Sequence, residues 1–138
     1  EGGVIIMTHP TYRDFNPVHH PSYIDFFEEV LTDTTDPAVM SEKWEKKYAE
    51  DEWYRHLYRT GNAYHGVHPF YAWYWGAHGQ QHAGKVIIVG GDAPTVRRLG
   101  FTPASTMNDA FEIASDVVGR APTVTHLHVP SVLVADVK

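Results

Sequence analysis

Apolar positions along the chain fall into two alternating patterns. After Gly2-Gly3, Val4-Ile5-Ile6-Met7 is a short unbroken apolar run rich in β-branched residues, and Lys85-Val86-Ile87-Ile88-Val89 before Gly90-Gly91 repeats the type. Runs of this kind predict strands buried on both faces, stopped here by Thr8-His9-Pro10 and by the paired glycines. Between them the period becomes helical. Ser22 to Asp25 reads as a capping box, and Tyr23, Phe26, Phe27 and Val30 share one face of a helix expected to end near Leu31. Asp36-Pro37 predicts an N-cap followed by proline at the first helical position, opening a long segment to about Arg59 in which Met40, Trp44 and Tyr48 recur four apart. Pro10 to Pro21 and Thr60 to His68 read as loops, and a third helix is expected from Pro69.

Beyond Gly91 the alternation continues. Asp92-Ala93-Pro94 predicts a short helical turn reaching Leu99-Gly100. Thr106-Met107-Asn108-Asp109 has the form of a capping box, and Ala110, Phe111, Ala114, Val117 and Val118 then mark an amphipathic helix closed by Gly119. A last strand is expected from Val124 to Val134, with Pro130 at an edge or a bulge. Strands alternating with helices give an α/β fold, Rossmann-like: a mostly parallel sheet of three or four strands with helices packed on its faces.

The 138 residues, 43% hydrophobic, suffice for one core and predict a single α/β domain over residues 1–138. Glu1-Gly2-Gly3 leading at once into the apolar run Val4 to Met7 suggests a chain entered in the middle of a strand, hence a fragment of a two-domain protein. The net charge of -6, with basic residues scattered, argues against a nucleic-acid partner. No signal-like or membrane-spanning run is visible, and cysteine is absent, so a cytoplasmic setting without membrane partners is expected.

Ten histidines are many for this length, and imidazole is a common metal ligand and proton carrier. His78 and His82 have the spacing of two ligands on one helix face, but no third ligand is evident and the zinc-protease glutamate is missing. His126 and His128 share a strand face, which solvent or packing explains as well. Gly90-Gly91-Asp92 lacks the third glycine of a dinucleotide fingerprint, and Pro94 removes an amide, so an ordinary strand-ending turn is the simpler reading. The most unusual stretch is His65 to His78, whose aromatic residues cover both faces of a helix. That surplus predicts a ligand cleft or an interface beside ordinary core packing, with Trp73, Trp75, His65 and His68 as candidate substrate-binding groups.

Glu1 to Met7, the strand Lys85 to Gly91, and the tail from Leu99-Gly100-Phe101 through the Ser105 to Gly119 helix to the last strand together carry a family resemblance. The chain resembles the latter part of the C-terminal domain of the nickel-pincer-nucleotide-dependent lactate racemase family and its relatives that act on other 2-hydroxy acids. The order of elements matches over most of the chain. The resemblance implies a two-domain isomerase whose N-terminal domain, absent here, binds the nickel pincer nucleotide. This stretch would then hold no cofactor, no metal and no catalytic residue, and alone would be inactive. Its partners would be its own N-terminal domain and a small 2-hydroxy acid, and a homo-oligomer is compatible with it. The family's active-site glutamine and lysine would precede Glu1. A family tryptophan that borders the substrate has Trp73 as its nearest match, with Trp75 next. The aromatic, histidine-rich surroundings depart from the family's usual helix there, which favours a bulkier 2-hydroxy acid than lactate. The competing expectation is a non-catalytic docking module that uses the aromatic and histidine-rich helix.

Overall fold

The computed structural model describes residues 2–127. Three strands, β1 (Gly3–Thr8), β2 (Ala83–Val89) and β3 (Thr102–Ala104), form one sheet in the order β1-β2-β3, and both pairings are parallel. The chain is thus α/β, with a parallel sheet and helices, as the alternating pattern predicts. Ile6 lies opposite Ile87, and Val89 opposite Ala104. Because side chains alternate along a strand, this register puts Val4, Ile6, Ile87, Val89 and Ala104 on one face.

Helix α8 (Met107–Val118) covers that face with Ala110, Ile113 and Ala114. Its start is the predicted capping box: the Asp109 amide donates to the Thr106 hydroxyl and the Thr106 amide donates to the Asp109 carboxylate. The other face is covered unevenly. Ile5 and Met7 remain 44% and 42% exposed, so β1 is not buried on both faces as its apolar run predicts. Helix α7 (Ala93–Arg98) is only six residues long, and its Val96 lies against Gly91, next to Ile88 of β2, while Ile5 and Met7 of β1 stay exposed. Strand β3 escaped the sequence reading because three residues containing Pro103 show no period, and proline is tolerated on an edge strand.

Between β1 and β2 the chain builds a helical layer. Helix α1 (Pro21–Asp25) runs through a π-helical turn, Phe26–Val30, into α2 (Leu31–Asp33). The expected capping box at Ser22 is not formed. The helix starts one residue earlier with Pro21, which turns Ser22 into the core, where its hydroxyl is buried without a hydrogen-bond partner. The Thr32 hydroxyl donates to the Glu28 and Glu29 carbonyls at the end of the π turn.

Asp36 caps α3 (Pro37–Met40) through the Ala38 amide, and a second π turn, Ser41–Glu45, leads into α4 (Lys46–Glu50). The expected single helix to Arg59 breaks at Asp51. Its carboxylate caps α5 (Glu52–Thr60) by accepting from the Tyr54 amide. Helix α6 (His68–Gln80) then leads into β2, with Pro69 in its first turn.

The core of this layer is made of rings. Phe70, fully buried, meets Phe26 edge-on at 4.9 Å and Tyr48 at 5.0 Å, while Tyr48 stacks on Tyr54 at 5.6 Å. Gly66 lets the loop before α6 press against it: a Cβ there would stand 2.5 Å from the Tyr48 carbonyl oxygen. The Arg98 guanidinium, at the end of α7, donates to the Phe27 carbonyl and lies over the Phe27 ring, joining the helical layer to the sheet connections.

Val124 to Leu127, the described part of the expected last strand, belong to no strand. The remainder of that expectation, including His128, lies outside the described residues. Among the described residues no helix is long and apolar enough to cross a membrane.

Candidate functional site

Two loops far apart in sequence are tied together beside α6. Asn16 folds the first, its side-chain oxygen accepting from the Val18 and His19 amides. The second turns at Asn62, which adopts φ 55°, a left-handed conformation that asparagine tolerates well. The Tyr64 amide donates to the His19 carbonyl at 2.8 Å, and the His19 ring bonds the Asn62 carbonyl oxygen at 3.2 Å. This clasp brings His20 and Tyr64 face to face.

Four rings then meet. The His20 imidazole stacks on Tyr64 at 4.8 Å, and Tyr64 lies over His68 at 4.3 Å, so the phenol ring packs against two imidazoles. Tyr23 from α1 stands edge-on to His20 at 5.1 Å, and its hydroxyl hydrogen-bonds Nδ1 of His68 at 2.7 Å in a half-buried setting. Burial, reinforced by Tyr64, pushes the Tyr23 hydroxyl above its ordinary pKa, so the phenol stays protonated at neutral pH.

Tyr23 also belongs to the wall of an open cavity of about 210 Å³. Phe26, Phe27 and Leu31 line it from the α1–α2 run, Pro69, Ala72 and Trp73 from α6, and Phe15 and Leu99 close the sides. No charged side chain lines it. Trp73 is fixed there because its indole N–H donates to the Thr35 carbonyl at 3.0 Å while its ring packs on Phe26.

Of the four residues singled out from the sequence, the structure groups two in this neighbourhood. Trp73 lines the cavity and His68 bonds the tyrosine at its edge. His65 sits against Tyr58, its Nδ1 accepting from the Val67 amide. Trp75 is 81% exposed and takes no part in the cavity, since two residues along a helix turn about 200°. Tyr23, His20 and Tyr64 were not singled out. Tyr23 reads in sequence as one more apolar position of a helix face, and the His19-His20 pair as part of a loop. The abundance of histidine was the one available signal.

The glycine turn after β2 has a packing role. Gly90 takes φ 79°, and a Cβ on Gly91 would stand 2.7 Å from Val96. Asp92 closes the start of α7 with its own carboxylate, accepting from the Thr95 amide and hydroxyl, and these bonds lower its pKa. A phosphate would meet negative charge there. His78 and His82 stand edge to face at 5.7 Å, and among the described residues no three His, Cys, Asp or Glu side chains come together to hold a metal ion. Compared with protein-family models, with curated proteins and with solved structures, the chain matches none.

Proposed function

We propose that the chain is the latter part of the C-terminal domain of a cytoplasmic isomerase of the lactate racemase type, forming one wall of a cleft for a 2-hydroxy acid. The observation that carries this reading is the Trp73 cavity. The tryptophan that the resemblance places beside the substrate stands in an apolar recess, with its ring held by Thr35 and Phe26. The uncharged lining suits the side chain of a substrate and not its carboxylate, which favours an acid bulkier than lactate. On the resemblance, the nickel pincer nucleotide would be held by the other domain. The part left to these residues is to bind the apolar end of the substrate, orient it and exclude water.

The test is a racemisation assay on the full-length protein carrying the matured cofactor, across 2-hydroxy acids of increasing side-chain size. Turnover that favours aryl or branched acids, with a KM raised about tenfold or more by Trp73→Ala, is expected. Absence of turnover despite bound cofactor would overturn the reading. A docking module is the second reading, favoured by Tyr71 and Trp75, which α6 presents 47% and 81% exposed.

A further inference from the structure

We propose that Tyr23 and His68 form a proton-relay pair for a small hydroxylic ligand, one that carries a single ring or a branched chain and lies in the apolar cavity. Tyr23 has two neighbours of different kinds. It is one of the residues that line the cavity, and its hydroxyl bonds Nδ1 of His68 at 2.7 Å. When the phenol donates to Nδ1, the imidazole hydrogen is on Nε2, and the phenol oxygen keeps lone pairs to accept a hydrogen bond from a ligand. A proton can then pass in two linked moves. The ligand O–H breaks as an O–H forms on Tyr23, and the original Tyr23 O–H breaks as an N–H forms at Nδ1. The outcome is a ligand oxyanion, a neutral tyrosine and an imidazolium, with no change of oxidation state.

The imidazolium has a stabilising neighbour. The Tyr64 ring lies over His68 at 4.3 Å and offers its negative face to the imidazolium. The rings gathered around His68 are those of Tyr23 and Tyr64, and His20 stacks on Tyr64. Burial keeps Tyr23 protonated, which makes it a conduit and not the base itself. Size decides the ligand class. An engineered cavity of about 150 Å³ holds benzene, whereas drug-sized ligands occupy pockets of roughly 300–1,000 Å³. A cavity of about 210 Å³ therefore has room for one ring or a branched chain.

The relay uses the cavity of the racemase reading but does not depend on that activity, and it is tested without turnover. 4-Nitrophenol, whose ionisation is read from its absorbance, and 4-nitrotoluene, which lacks the hydroxyl, are titrated into the chain and into Tyr23→Phe and His68→Gln. Both probes are expected to bind all three proteins, and bound 4-nitrophenol should be about tenfold more ionised in the unmodified chain than in either variant, a difference of about one pH unit in its midpoint. Equal ionisation in the three proteins, or no binding of either probe to the unmodified chain, would overturn the proposal. Should a variant fail to fold, ¹⁵N NMR of the unmodified chain decides. The His68 Nδ1 signal should change from that of a bare to that of a protonated nitrogen when 4-nitrophenol binds, and an unchanged signal refutes the relay. Racemase activity with no relay, or a relay with no racemase activity, separates the two ideas.

Discussion

The helical layer between β1 and β2 and the packing of α8 on the sheet are built from opposite materials. In the first, Phe26, Phe27, Tyr48, Tyr54 and Phe70 fill the interior with rings, and several polar tips find partners at its margin: Tyr54 donates to Asp25, and Tyr74 donates to Glu45. In the second, Ala104, Ala110 and Ala114 meet Ile87, Val4 and Ile6 with no aromatic ring among them. Small residues let helix and sheet approach closely and leave little space. Rings meeting at tilted and edge-on angles leave gaps between them, and the cavity beside Trp73 lies in the layer made that way. On the proposed reading the sheet side serves as scaffold and the aromatic side receives the ligand.

Substitutions can break or sharpen that contrast. The largest effect is expected from Phe70→Ala, because Phe70 is fully buried and touches Phe26, Tyr48 and Tyr74. A loss of about 3–5 kcal/mol is expected in urea unfolding. A loss below about 1 kcal/mol would mean that the rings do not act as one core. Ala110→Leu adds volume where α8 meets the sheet and is expected to cost about 1–3 kcal/mol by the same measurement. If the change is tolerated, the helix is not close-packed there and the contrast fails.

The smallest effect has the opposite sign. Tyr48 is 2% exposed and its hydroxyl has no hydrogen-bond partner, while burial, with help from Glu29, Asp25 and Asp51, raises its pKa. Tyr48→Phe removes an unsatisfied buried group and keeps the ring, so a gain of about 1 kcal/mol is expected in thermal unfolding. Destabilisation would reveal that the hydroxyl is satisfied after all.

Signals carried within a few residues were legible in the sequence. Asp36-Pro37 and Thr106 to Asp109 cap helices where their spacing places them, because a cap is a contact between near neighbours. The same reasoning misplaced Ser22, since its pattern matches a capping box but Pro21 starts the helix first. It also passed over Asp51, because the apolar stripe continues across the break. The site was less legible. Tyr23 and His68 are 45 residues apart, and the tie between His19 and Tyr64 that aligns their rings is made by backbone groups with no side-chain signature.

The sequence by itself determined the α/β class, the parallel sheet, the main helix starts and the aromatic surplus around α6, because hydrophobic period and capping act over one or two turns. Only the tertiary structure decided that β1 keeps one face bare, that Trp73 faces a cavity while Trp75 faces solvent, and that two histidines and two tyrosines share one cluster. These outcomes depend on how separate elements close upon one another. A loop tie, a single glycine or a short helix can change that closure without altering the local pattern of the chain.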